Sequence, residues 1–440
     1  MPRYARAEWN WWQCRDAPPC NHVAFQLLPC LDFRLIFATF PGVSFATEFD
    51  ALPLGALVQR SLGAPTAAVR ESLGKSKLSL QDFAHLLSPA AGELLEVLGR
   101  RSQQLTRQRF GKVIRLFAPL YLSNECLNNC KYCGFSRANP IVRVTLSVEE
   151  ARREAGALLE QGFRNILLVA GEHPKCVSTT YLRECVAALH AAVPSLSLEV
   201  GALATEQYRP LVAAGADGLV VYQETYDRAV YADLHTSGPK RNFDWRLETP
   251  ERAYAAGFRR LGISPLYGLA DWRYEALSVA AHADYLLRHC WKAFLTISLT
   301  RLRPAAGEFA PRTPLADRDL VQLLCALRLM FPDAGLVLST RESPKMRNGL
   351  IPLGVTLMSA GSHTEPGGYT GAGRQHLRQR ARGPLMPAVA GSSEWAPAPP
   401  ANATEQFSIA DPRSPHEVAD LIRGLGYEPV WKDWDRALTE

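Results

Sequence analysis

Three thiols fall within eight residues, at Cys126, Cys130 and Cys133, in the spacing C-x3-C-x2-C. Cysteines this close on one loop point to metal ligation in a reducing compartment, not to a disulfide framework. Three thiolates can each hold one iron of a 4Fe–4S cluster and leave the fourth iron without a protein thiolate, whereas fully protein-ligated clusters use four cysteines. An open iron is a place for a substrate or cofactor to bind. A structural zinc site would need a fourth ligand and usually paired cysteines. Zinc ligation and a chance triplet are the alternatives at this point.

Other residues able to do chemistry stand at the ends of apolar runs. Gly171-Glu172 puts a carboxylate, able to hold an ammonium group, next to a residue that permits close backbone approach. Gln223, Glu224 and Tyr226 close a second run. Ser339 and Arg341 alternate along a third, so both face the same side, and a hydroxyl beside a guanidinium fork suits a carboxylate. Arg246 is another such fork. Arg301 and Arg303 share one side near a fourth run, and Ser359 and Ser362 are further candidates.

The elements that must position these residues are eight β-prone runs, at 115–123, 165–171, 197–203, 218–224, 260–266, 294–299, 335–340 and 355–360. Helix-length stretches separate most of them. Ser147-Val148-Glu149-Glu150 is a capping box between the first two, and Gly162 ends that helix. The pattern fits an α/β fold, either a (β/α)8 TIM-type barrel or a doubly wound open sheet, and periodicity alone does not separate them. In a barrel the cysteine loop, which follows the first strand, lies at the C-terminal mouth where active sites form. Residues 47–114 read as an N-terminal helical extension, with Ser79 capping a helix over 79–87 and a longer one over 91–109. The barrel is expected over 115–370. Residues 1–46 read as a disordered extension, although Cys14, Cys20 and Cys30 beside Trp9, Trp11 and Trp12 leave a second metal site conceivable. Residues 371–404 read as a flexible insertion whose basic start lacks the aromatic residues that stack on bases. Residues 405–440 supply a helix and a tail that close the barrel.

Composition narrows the class. The chain has 440 residues, 47% hydrophobic, with a formal charge of +6. No run approaches the roughly 18 apolar residues that span a bilayer. No secretory signal is expected, so a cytoplasmic protein is. The charge is too modest to indicate nucleic acid.

The cysteine triplet, with Tyr132 before its last member, resembles the signature of the radical S-adenosylmethionine (SAM) superfamily. That resemblance implies Cys126, Cys130 and Cys133 as cluster ligands and Tyr132 against the adenine of SAM. Further segments resemble the 2-iminoacetate synthase family, the tyrosine lyases of thiamine biosynthesis. They include 105–111, 119–124, Val169-Ala170-Gly171-Glu172-His173, 221–226, 245–249, 301–304, Leu338-Ser339-Thr340-Arg341-Glu342-Ser343, 366–369 and 431–434. The resemblance runs from Thr47 to Glu440 apart from the insertion, and its (β/α)8 fold decides between the two architectures. It implies cleavage of the Cα–Cβ bond of L-tyrosine to 2-iminoacetate (dehydroglycine) and p-cresol, with methionine and 5′-deoxyadenosine from SAM. Hydrogen would leave the substrate amino group. The resemblance assigns Glu172 and Arg246 to SAM, and Ser339 and Arg341 to tyrosine; Glu224, at the end of its run, could accept bonds from SAM's ribose or amino group. Gln223, Tyr226, Arg301 and Arg303 are candidates for lining the cavity. The implied partners are thiazole synthase and a reductant such as flavodoxin or ferredoxin. The related tyrosine lyase of iron–iron hydrogenase maturation carries a second cluster on a C-terminal cysteine triplet, and here no cysteine follows Cys325. A non-catalytic scaffold that binds thiazole synthase would keep the cysteines without needing Glu172, Ser339 or Arg341.

Overall fold

Eight apolar runs pair edge to edge in a computed structural model that describes residues 44–380, 385–387 and 402–432. They are β1 (Val113–Ser123), β2 (Asn165–Ala170), β3 (Ser195–Glu199), β4 (Gly218–Glu224), β5 (Arg260–Tyr267), β6 (Phe294–Ser298), β7 (Gly335–Leu338) and β8 (Leu357–Ser359). Every neighbour is parallel, in chain order, and β8 returns to β1 in the register Arg115 to Leu357, so the sheet closes on itself. Closure settles the architecture as a (β/α)8 barrel rather than an open sheet.

Amphipathic helices cover its outside, among them Val148–Glu160, Thr179–His190, Trp272–His289 and Asp317–Met330. The box at Ser147 forms as expected: its hydroxyl accepts from Glu150 N, and the Glu150 carboxylate accepts from Ser147 N. The third strand lies earlier than the run at 197–203. Beyond Glu199 the chain turns away where Gly201 packs beneath Glu172, and a Cβ at Gly201 would stand 2.6 Å from Glu172 Cγ.

Among the described residues six helices precede the barrel, from Phe45–Ala51 to Leu95–Phe110. Ser79 caps Leu80–Leu86 through Asp82 N at 3.2 Å. The helix expected over 91–109 is two, Pro89–Gly92 and Leu95–Phe110, because Ser88 and Pro89 start a separate turn. The first helix begins ahead of the boundary at Thr47, since Phe45 is fully buried and stacks on His282 at 4.2 Å. Residues 1–43, with Cys14, Cys20 and Cys30, lie outside the described residues.

The start of the segment expected to be a flexible insertion is built into structure. Arg374–His376 makes a 3-10 turn, and Arg378–Arg380 pairs antiparallel with Val142–Arg143 and with Leu385–Pro387. Most of the remainder lies outside the described residues. After residue 404 the chain crosses the barrel mouth, forms the helix Pro415–Gly424, and ends its described course in β9 (Glu428–Val430), which pairs with the start of β1. No described helix is long and apolar enough to cross a membrane.

The crossing segment is anchored by charge. Arg347 and Asp411 are both fully buried and form an ion pair, and Arg413 adds a second cation to Asp411 at 2.6 Å. Removing one member of a buried pair leaves an uncompensated charge, which costs about 3–5 kcal/mol. Asp411→Ala is expected to lower the urea midpoint accordingly, and an unchanged midpoint would refute the anchoring role.

Candidate active site

The loop after β1 carries the three thiols, and beyond the short antiparallel pairing of Asn129–Cys130 with His235–Ser237 it is held by side chains. Buried Asn124 donates to Val142 O at 2.9 Å and Thr404 O at 3.1 Å, and accepts from Val144 N at 2.8 Å. The guanidinium of buried Arg143 donates to the carbonyls of Asn124, Phe135 and Ser136 at 2.6, 3.2 and 2.8 Å. Asn139 donates to Cys133 O, Gly134 O and Ala306 O. Against this frame Cys130 is buried, Cys126 and Cys133 are half-buried, and all three are free thiols. The expected close approach at Gly171 is present: a Cβ there would lie 2.3 Å from Glu125 O and 3.2 Å from Cys126 Cβ. Burial pushes the Cys130 and Cys133 thiols up, with Lys240 opposing, so metal binding there would expel protons. Among the described residues no three His, Cys, Asp or Glu groups converge on a single-ion point. A cluster taking one thiolate per iron needs no such convergence. The donor set, three unbridged thiols on one loop, therefore fits a 4Fe–4S cluster with an open iron.

Charged side chains surround the loop. Tyr132 donates its hydroxyl to His235 Nε2 at 2.8 Å, since His235 Nδ1 is engaged with Tyr231 O. Burial and Lys240 hold His235 down to about 3, so its ring is neutral. Lys240 stands 5.7 Å above the Tyr132 ring and donates to Glu224 Oε1 at 2.5 Å. Arg246 faces the same oxygen at 3.5 Å and donates Nε to Tyr222 O at 2.7 Å. Glu224 has φ 73, the left-handed region, which costs a non-glycine residue about 1–2 kcal/mol. Burial pushes its carboxyl up, but Lys240 and Arg246 outweigh burial and hold it below the usual range. Glu172 is half-buried and accepts from Asn128 at 2.6 Å. Glu224 and Arg246, both expected at SAM, are thus largely engaged already, Glu224 by Arg246 and Lys240 and Arg246 by Glu224 and Tyr222 O. A lysine in a short polar turn, here the 3-10 turn Pro239–Arg241, gives sequence reasoning no signal, and Lys240 was not foreseen.

Beside the loop a cavity of about 540 Å³, its open mouth included, enters the barrel, with Ser339, Arg341, Ser359 and Ser362 on its wall as the sequence suggests. Arg341 stacks on Phe407 with Cζ 3.4 Å from the ring centre. The same wall holds Glu199, which sequence reasoning missed. Burial pushes its carboxyl up to about 7, with Glu224 adding to the rise and Arg341, Arg246 and Lys240 opposing it. Gln406 links cavity and loop: it accepts from Tyr121 OH at 2.8 Å and donates to Cys133 Sγ at 4.0 Å.

None of the four other lining candidates reaches this wall. Gln223 donates to Phe243 O at 3.4 Å. Tyr226 is turned outward onto His282 at 2.9 Å, because Glu275 pins its backbone N. Arg301 is consumed by Glu342 and Asp317. Arg303 is half-buried elsewhere, its Nε without a hydrogen-bond partner.

A closed parallel barrel with a three-thiol loop after its first strand defines the radical SAM class, and the Radical SAM superfamily model matches residues 120–277. The Biotin and Thiamin Synthesis associated domain matches residues 298–428. The chain is 43% identical to 2-iminoacetate synthase of Escherichia coli (strain K12), over 90% of this chain and 98% of that one. To the Salmonella typhimurium (strain LT2) protein of the same name it is 41% identical, over 85% and 92%. The solved FeFe-hydrogenase maturase HydG from Carboxydothermus hydrogenoformans superposes with TM-score 0.74 at 34% identity, covering 86% of this chain and 82% of that one. The chain belongs to the 2-iminoacetate synthase family.

Arg143 makes a sharp test of the frame around the thiols. Arg143→Met removes charge-assisted bonds worth about 1.5–3 kcal/mol each. Iron and acid-labile sulfide per chain after anaerobic reconstitution should fall at least severalfold. Full cluster content in this variant would show that the loop holds its shape unaided.

Proposed function

We propose that this enzyme cleaves the Cα–Cβ bond of L-tyrosine, releasing 2-iminoacetate and p-cresol. The observation that carries the reading is the joining, through Gln406, of a three-thiol loop to a cavity that presents Arg341 and Ser339. Both curated relatives above bear the name 2-iminoacetate synthase, which supports it. Cys126, Cys130 and Cys133 would hold the 4Fe–4S cluster. Glu172 would take the SAM ammonium, Tyr132 would lie against its adenine, and Arg246 would offer NH1 to its carboxylate while Glu224 fixes the cation. When bound, cluster and SAM supply a one-electron reduction that yields methionine and a primary radical able to abstract hydrogen.

The protein's share is orientation and dryness. Arg341 and Ser339 hold the substrate carboxylate, so the rest of tyrosine points into the barrel. Tyr121, Tyr222 and Phe407 wall the cavity with rings, which limits water, and positioning of the substrate decides which hydrogen is taken. A reactive imine product favours direct transfer to thiazole synthase, and a flavodoxin or ferredoxin in the reducing cytoplasm would supply electrons. The match to a thiamin-associated domain supports that setting.

Anaerobic incubation with dithionite, SAM and tyrosine tests the reading: p-cresol and 5′-deoxyadenosine are expected, and a reconstituted cluster that cleaves no SAM would refute it. Cys126→Ala, Cys130→Ala and Cys133→Ala should each abolish SAM cleavage. Arg341→Lys keeps the charge but not the fork. It should raise the tyrosine KM about tenfold with little change in SAM binding, and an equal effect on both ligands would remove Arg341 from the tyrosine site.

A further inference from the structure

The cavity at the barrel mouth has two charged side chains among its described lining residues, Arg341 and Glu199. They do not pair with each other, and neither has an ion-pair partner among the described residues. Arg341 lies over the Phe407 ring, and Glu199 ends β3, across the barrel from β7. A cavity otherwise lined by rings, aliphatic groups, hydroxyls and the Gln406 amide that keeps one cation and one anion apart is complementary to a dipolar molecule of zero net charge. An α-amino acid is such a molecule. Its carboxylate is accounted for by Arg341 and Ser339, and its ammonium group has had no partner.

We propose that Glu199 binds the ammonium end of the amino-acid substrate and accepts one of its protons, so that the amine is neutral when hydrogen is abstracted. The step breaks one N–H bond heterolytically. The electron pair stays on nitrogen, the proton joins a Glu199 carboxylate oxygen, and no oxidant or reductant is needed. Two opposite charges become two neutral groups, a change that a dry, low-dielectric cavity favours. The assignment rests on the tyrosine-lyase reading and adds a residue that the resemblance did not assign.

The surroundings poise the group for this exchange. Glu224 repels a charge on Glu199, while Arg341, Arg246 and Lys240 favour one, and the Tyr121 and Tyr222 hydroxyls face it uncharged. Burial dominates and brings the carboxyl up to about 7. Below that pH the free enzyme carries a neutral Glu199 that attracts no ammonium. In the wild type, kcat/KM for tyrosine should therefore rise with pH through about 7.

The test compares Glu199→Gln and Glu199→Asp with the wild type at pH above that transition, using tyrosine and 3-(4-hydroxyphenyl)propanoate, which is tyrosine without its amine. Losing a charged hydrogen bond should weaken tyrosine binding by Glu199→Gln about tenfold to a hundredfold. Binding of the amine-free analogue should change less than about threefold, a margin below a single neutral hydrogen bond. The rising limb of the pH profile should vanish in Glu199→Gln and survive, at lower activity, in Glu199→Asp. Glutamine is nearly isosteric and Glu199 makes no ion pair among the described residues, so the variant should fold, and its melting curve and cluster spectrum verify that. Equal weakening of both ligands would place Glu199 at the phenol or carboxylate end and overturn the proposal, as would wild-type tyrosine affinity in Glu199→Gln. A wild type that makes no p-cresol would instead fell the lyase reading, a failure seen before any variant is compared.

Discussion

The cysteine loop is buried under its neighbours yet has almost no regular hydrogen-bond ladder, so its main-chain groups must find partners elsewhere. Unpaired backbone groups away from water cost as much as lost hydrogen bonds. Asn124, Asn139 and Arg143 answer that demand from both ends of the loop and from within it. They turn an irregular segment into a rigid one, and rigidity is what lets three thiols keep a fixed spacing. The short sheet formed by Val142–Arg143 and Arg378–Arg380 extends the same support outward.

Electrostatics complete the arrangement. Glu224 occupies a backbone conformation that side chains avoid, and it is held there by the two cations that share its Oε1. The strained carboxylate in turn fixes Lys240 over Tyr132 and keeps Arg246 beside the mouth. Removing Glu224 would leave two buried cations without their counter-charge, and removing either cation would loosen the hold on Glu224, so the three act as a unit. The positive side of this unit faces the thiols, whose ionised forms it favours.

The barrel strands were legible because a strand buried on both faces shows as a continuous apolar run, and seven of the eight lay close to where such runs occur. The third slipped toward the N-terminus because Val200 and Gly201 are apolar in type yet belong to a turn. Cys126, Cys130, Cys133, Ser339 and Arg341 were legible by type and spacing. Glu199 was not, for a physical reason. In an alternating strand a carboxylate reads as the solvent face, but once the sheet closes, that face is the interior. Tyr226 and Arg301 misled for the converse reason: each sits near a strand end, but Glu275 and Glu342, distant in sequence, claim them.

The segment that crosses the mouth is stitched to four loops. Gln406 O accepts from Gly134 N, Gln406 N reaches Thr364 O, Ser408 N reaches Pro304 O, and Ala410 N reaches Thr340 O. Gln406 and Cys133 are separated by 273 positions in the chain. At ordinary translation speeds of about 5–20 residues per second, the thiols leave the ribosome roughly 14–55 seconds before the segment that covers them exists. The nascent polypeptide thus carries its thiols through that interval without the lid that Gln406 and its neighbours later provide.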